Sequence, residues 1–299
     1  MFWTFYRNTL GLIAVLQYNQ PVGFSLDLIA NLYEQLSMNK NADEWLDKKQ
    51  RFLDQENLDN VQKKKPEADH IEGAIVDGRL GEFHQDVHSL TYDPDRLEQA
   101  YDKHAEDYDE FLLGLSGDGT SGCSHYTTLF FSKIVPIQKN MRILDAGVGT
   151  GIGGVELINF GYTPLSIVGV DLSSKMLAQA EKRGVYEALH YARFPETDDI
   201  LHEDEFDAVL CAGGFSHSAM PVSAIPEFIR VTRPGGFIVF SIRQSVYDEP
   251  NSEIKATIIQ LESARVWDIV AQEYGAYLPA DGVQAIYIAC RVCCYSRSS

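Results

Sequence analysis

A chain of 299 residues with 45% hydrophobic side chains is long enough for one domain of about two hundred residues with a sizeable core, plus an extension. Its formal net charge of −18 and pI near 4.8 disfavour a nucleic-acid substrate, because duplex binding depends on cationic side chains that neutralise phosphates; a small molecule or a protein is the expected partner. Five scattered cysteines, Cys123, Cys211, Cys290, Cys293 and Cys294, suit the reduced thiols of a cytoplasmic protein better than a disulfide scaffold.

Residues 1 to 26 contain one basic residue, Arg7, no acid, and an apolar centre at Leu10-Gly-Leu-Ile-Ala-Val-Leu16. The stretch is too short and interrupted to span a bilayer, so no stable membrane insertion is expected. It also lacks a convincing small-residue cleavage site and is poor in arginine for an organelle presequence. A helix packed on the domain or an ordered extension is expected, with organelle targeting as the alternative. From about 38 to 90 the chain is polar and charged, with Lys63-Lys-Lys65 before Pro66, a composition that reads as exposed helix and linker. Residues 1–90 are therefore assigned to an N-terminal extension and 91–299 to the main domain.

Asp93-Pro94 marks a helix start, and Leu97, Tyr101, Tyr108 and Leu112 recur at spacings of four, seven and four. One helix over 95 to 113 is expected, with Tyr101, His104 and Tyr108 on one face, then another around 125 to 135.

The next stretch, Arg142-Ile-Leu-Asp-Ala-Gly-Val-Gly-Thr-Gly-Ile-Gly-Gly154, reads as a strand over 141 to 146, a glycine turn and a helix over 152 to 160. Gly147, Gly149 and Gly151 lack the Cβ that would hold a ligand off the main chain. The following strand, 166 to 171, ends in Asp171, 20 residues after Gly151, the spacing at which an acid reaches the ribose hydroxyls of a nucleotide-like cofactor. Gly149, Gly151 and Gly154 also satisfy G-x-G-x-x-G, the dinucleotide pattern. Asp145 argues against that ligand, because a carboxylate two residues before the first glycine would repel a pyrophosphate at a helix N-terminus, which favours anions. It would instead attract the ammonium or sulfonium of S-adenosylmethionine.

Leu144-Asp-Ala-Gly-Val-Gly-Thr-Gly151 resembles motif I of the class I S-adenosylmethionine-dependent methyltransferases, and Val168-Gly-Val-Asp171 resembles their second motif. Phe206-Asp-Ala-Val-Leu-Cys-Ala-Gly-Gly214 is similar to their fourth strand, and Ala224-Ile-Pro-Glu-Phe-Ile-Arg-Val-Thr-Arg-Pro-Gly-Gly-Phe-Ile-Val-Phe240 to the helix, turn and fifth strand that follow. The resemblance runs over roughly residues 90 to 295. It implies an α/β, doubly wound, Rossmann-like sheet of seven strands with the last inserted antiparallel, S-adenosylmethionine as cofactor, and methyl transfer as the reaction. In the resembled family a Tyr-rich helix ahead of the first strand covers the methionine end of the cofactor, which would bring Tyr108 to its carboxylate or to the substrate; the alternative is that Tyr101 and Tyr108 pack the helix on the sheet.

The remaining expected elements are helix 173–183, strand 187–192, strand 206–212, helix 222–232, strand 236–242, helix 252–265 and strands 267–278 and 284–293, an alternation that implies a parallel sheet with the ligand at the strands' carboxyl ends. Asp171 has two oxygens for two ribose hydroxyls. By resemblance Leu172 covers the adenine, although helix-entry packing would explain it too. Asp145 orients the methionine amino group or else caps the loop. Ala146 and Met176 join the cofactor set, and Cys211 and Gly213 end the fourth strand where backbone carbonyls would receive the ammonium. Many class members place an Asp after the third strand for the adenine amine; here His190-Tyr-Ala-Arg-Phe-Pro195 has none, leaving backbone groups of Ala192 and Arg193.

His217, in the loop after the fourth strand, is the candidate base for an acceptor that must lose a proton, with His104 second and an ordinary surface histidine as the alternative. The loop reads Cys211-Ala-Gly-Gly-Phe215 and not Asn/Asp-Pro-Pro-Tyr/Phe, which disfavours amide or base amines as acceptors. Cys290-Arg-Val-Cys293 reads as packed thiols at a strand end, and no metal is expected. Two further readings stand beside the methyltransferase: a nicotinamide oxidoreductase using the same turn, and a catalytically silent methyltransferase fold that only binds.

Overall fold

A computed structural model describes residues 92–163, 166–216 and 219–294. The readings for residues 1 to 26, Lys63 to Lys65, the domain boundary near 90, and His217 fall outside the described residues. The helices are α1 (Pro94–His104), α2 (Tyr108–Ser116), α3 (Cys123–Ile134), α4 (Ile152–Asn159), α5 (Ser174–Arg183), α6 (Ala224–Val231), α7 (Gln244–Tyr247) and α8 (Glu253–Ser263). The strands are β1 (Ile143–Ala146), β2 (Ile167–Asp171), β3 (Ala188–Tyr191), β4 (Phe206–Phe215), β5 (Thr232–Arg243), β6 (Trp267–Leu278) and β7 (Val283–Val292).

These strands form one seven-stranded sheet in the order β3-β2-β1-β4-β5-β7-β6. The first five are parallel, and β7 runs antiparallel between β5 and β6, as the resemblance implies. Strand order reverses between β1 and β4, the crevice at which open α/β sheets bind ligands, beyond their carboxyl ends. On one face Phe215, Phe228, Phe240 and Trp267 meet in a chain of edge-on and tilted rings. On the other, α3 packs over β4 to β7, and its Thr127 hydroxyl bonds the Ser241 hydroxyl of β5 at 2.9 Å, fully buried. Among the described residues no helix is long and apolar enough to cross a membrane, and no group of three or more His, Cys, Asp or Glu is placed to hold a metal. Cys290 is buried and Cys293 half-buried, both with free thiols.

The single helix expected over 95 to 113 is two. The Asp93 carboxylate caps α1, but the ladder breaks after His104 and restarts where Asp107 takes the N-cap position of α2, a position short acids favour over a helix interior. The break turns two acids towards different partners. Asp102 of α1 accepts from the Ser173 hydroxyl (2.6 Å) and the Lys175 N–H (3.2 Å), whereas Asp109 of α2 accepts from the Thr150 hydroxyl (2.5 Å) and pairs with Arg183. Strand β4 runs three residues past its expected end, bringing Gly213 beside the Ser241 hydroxyl, to which its N–H donates at 3.0 Å.

Candidate functional site

The turn after β1 folds back on β2: the N–H groups of Gly147 and Val148 both donate to the Val170 carbonyl, at 2.9 and 3.1 Å. That places Gly149 against the end of β2, where its N–H donates to Asp171 Oδ2 at 2.8 Å while Ser173 N–H donates to Oδ1 at 2.8 Å. Each oxygen keeps a further acceptor site. Burial pushes the Asp171 carboxyl up to about 6, against the pull of the backbone N–H groups of Ser173, Gly149 and Leu172.

Asp145 is 2% exposed. Burial, opposed by a hydrogen bond from Tyr186 and reinforced by the charge of Asp171, pushes its carboxyl up to about 7. The Tyr186 hydroxyl donates to Asp145 Oδ2 at 2.8 Å and accepts from Gly154 N–H at 3.0 Å, pinning the first turn of α4 to the end of β1. Neither carboxylate has a basic side chain among the groups that set its ionisation.

The glycines of the turn, expected to leave the main chain clear for a ligand, meet different surroundings. A Cβ on Gly149 would meet nothing within 4 Å, so the chain is open there. A Cβ on Gly151 would lie 3.0 Å from Ala180 Cα, and one on Gly154 would lie 2.4 Å from the Tyr186 oxygen. Those two glycines admit α5 and a tyrosine.

Of the other expected contacts, Ala146 is buried at the end of β1 and Leu172 is half-exposed beyond β2. Met176 lies on the buried face of α5, 1% exposed, with its N–H bonded to the Ser173 hydroxyl. The Arg193 guanidinium is taken up by Asp95 and Glu98 of α1, which leaves only its backbone for a ligand. The Cys211 thiol is buried against Met220, sulfur to sulfur at 3.8 Å, and burial pushes its pKa up. His104 is buried beside the Phe111 ring.

Tyr101 and Tyr108 stack edge to face, ring centroids 6.2 Å apart. Burial drives both phenols well above their usual range, and the charge of Asp171, the carboxylate held by the glycine turn, adds to this in each. Tyr277 of β6 has a hydroxyl that donates weakly to the Gly213 carbonyl at 3.4 Å. Burial raises its phenol too, with Cys123, Tyr108 and Tyr101 adding to the effect and Arg243 opposing it. Tyr186, Tyr277, Arg243 and Asp109 carry no sequence signal for this site. Tyr186 sits in an irregular segment and the others are brought in by elements far along the chain.

Comparison with known proteins locates a family. The profile described as a methyltransferase domain matches residues 144–240. Human methyltransferase-like protein 27 is 31% identical over 64% of this chain and 77% of its own length. A ubiquinone/menaquinone biosynthesis C-methyltransferase of Geotalea daltonii is 28% identical over 50% of this chain and 64% of its own, and a demethylmenaquinone methyltransferase of Mycobacterium bovis is 32% identical over 50% and 58%. Among solved structures, Burkholderia thailandensis 1,6-didemethyltoxoflavin-N1-methyltransferase matches 68% of this chain and 92% of its own at 16% identity and a TM-score of 0.49.

Proposed function

The chain belongs to the class I S-adenosylmethionine-dependent methyltransferases, and on that premise we propose that it transfers a methyl group in line to a small-molecule or protein acceptor in the cytoplasm. Its cofactor is S-adenosylmethionine. The observation that carries the fit is the pair of carboxylates, Asp145 buried and Asp171 half-buried, set beside an open backbone at Gly149 with no basic partner. Both acids are short of a cation, and Asp171 also keeps acceptor sites for hydroxyl donors, which an ammonium and a ribose supply. Family membership removes the support for a nicotinamide oxidoreductase.

In this reading Asp171, its rotamer fixed by two backbone N–H groups, accepts from the ribose hydroxyls. Leu172 covers the adenine. Asp145 acts from behind the turn, as a charge that favours the ammonium end and as the anchor of Tyr186, and the Gly213 carbonyl faces that end from β4. Tyr108 shields the methionine end from water. When bound, the cofactor supplies a methyl carbon activated by a positive sulfur, so that alignment provides much of the acceleration. His217 is the candidate to take a proton from an acceptor that must lose one.

Calorimetry with S-adenosylmethionine and S-adenosylhomocysteine tests the donor site: both bind, and Asp171→Ala weakens binding at least about tenfold, or 1.4 kcal/mol. An unmodified protein that binds neither ligand overturns the reading. Labelled-methyl transfer into a cell extract separated by size then tells small-molecule from protein acceptors, and a protein that binds the donor but transfers to nothing is a silent binding fold.

A further inference from the structure

Arg243 is the last residue of β5 and is 3% exposed, yet its Nε meets no hydrogen-bond acceptor. None of the ion pairs among the described residues includes it, and the arginines and lysine that lie over aromatic rings are Arg142, Arg291 and Lys255. A guanidinium cannot shed its proton to escape such a site. Burying it without an anion is among the costliest arrangements in a protein interior.

Its position says what would relieve that cost. Strand β5 lies beside β4 and two strands from β1, about 10 Å across the sheet, and Arg243 ends it at the same carboxyl edge as Asp145, Asp171 and Gly213. Strand alternation puts Arg243 on the face of Ser241, the face covered by α3. On that face the small Ala285 stands directly opposite it on β7. Arg243 acts electrostatically on Tyr277, as Tyr101 and Tyr108 do, and the Tyr277 hydroxyl reaches Gly213 at that edge. The same edge holds two more buried polar atoms without partners, the hydroxyls of Ser245, two residues after Arg243, and Ser121, two residues before Cys123.

We propose that Arg243 is a specificity-determining residue that holds the carboxylate of the methyl acceptor, so that the substrate is a planar organic acid seated among Tyr101, Tyr108 and Tyr277 and methylated at an atom other than the one Arg243 grips. The inference rests on the methyl-donor reading and names its acceptor class. A guanidinium fork matches a carboxylate in a bidentate pair. A phosphate dianion would add a second negative charge close to Asp145 and Asp171 in a chain of net charge −18, which favours the monoanion.

The test uses the full-length protein saturated with S-adenosylhomocysteine and titrated calorimetrically with benzoate, benzamide and phenyl phosphate. Benzoate is expected to bind at least tenfold more tightly than benzamide and more tightly than phenyl phosphate. Arg243→Gln is expected to erase the preference for benzoate while still binding S-adenosylhomocysteine, and Arg243→Lys to restore part of it. Benzoate binding no more tightly than benzamide, including no binding of either, overturns the proposal. So does a preference that survives in Arg243→Gln, or a clear preference for phenyl phosphate. Failure of S-adenosylhomocysteine to bind the unmodified protein is seen before any acid is added, and overturns the donor reading together with the inference built on it.

Discussion

At the residue scale the chemistry turns on two acids that are uncomfortable in the free protein. Folding raises Asp145 from an ordinary 3.8 to about 7 and Asp171 to about 6, in both cases chiefly through burial, so folding favours their protonated forms. The free protein should therefore lose stability as pH climbs from about 4 to about 7, the reverse of an ion-paired acid. Donor binding needs the carboxylates and must expel their protons below those values. Affinity for S-adenosylhomocysteine is expected to rise between about pH 5 and pH 7 and then level off, with proton release seen as a dependence of the binding heat on buffer ionisation enthalpy. Asp145→Asn should flatten the upper part of that rise; an affinity independent of pH would show that neither acid feels the ligand. Gly154 offers a second residue-scale test. Its missing Cβ is space occupied by the Tyr186 hydroxyl, so Gly154→Ala should destabilise by about 1 to 3 kcal/mol through overpacking, read in urea melts, and Tyr186→Ala in the same chain should recover part of the loss.

At the element scale the broken helix α1–α2 decides how the site is closed. Two acids one turn either side of the break reach opposite rims of the glycine turn: Asp102 the N-cap of α5, Asp109 the Thr150 hydroxyl and Arg183. The Asp109–Arg183 pair is about a third exposed on each side and adds little to global stability, but both side chains hold Thr150 of the turn, through its hydroxyl and its carbonyl. Asp109→Ala is expected to leave the melting temperature nearly unchanged and to speed release of S-adenosylhomocysteine about fivefold, the equivalent of roughly 1 kcal/mol, measured by stopped-flow displacement. An unchanged release rate would mean that the clasp is only structural. The periodicity of Leu97, Tyr101, Tyr108 and Leu112 is compatible with one continuous helix, so the break was not legible; Asp107 favours a cap, yet a mid-helix acid on a solvent face would look the same in sequence.

At the scale of the whole molecule, the sheet's core sets stability and its carboxyl edge sets function. Phe240 is fully buried between Phe215 and Trp267, and Phe240→Ala should cost about 3 to 5 kcal/mol, visible as a lower midpoint in urea denaturation; a loss under 1 kcal/mol would argue that the ring cluster is not a close-packed unit. The parallel sheet and the placing of Asp145, Asp171 and Gly213 at its carboxyl edge were legible in the sequence through local information, namely apolar runs, a glycine turn and an acid at a strand's end. The antiparallel insertion of the last strand was implied by the family resemblance, and the strand order came from the structure. Tyr186 under Gly154, Tyr277 over Gly213 and the unpaired Arg243 were not legible, because their meaning comes from contacts across the sheet between residues 30 to 80 positions apart. The glycine turn, read with Asp145 before it, Asp171 beyond it and the family resemblance, thus points to a methyl donor in the sequence alone. Only the tertiary structure, which buries Arg243 with its Nε unpartnered and in no ion pair among the described residues, supports the proposal that the acceptor brings a carboxylate.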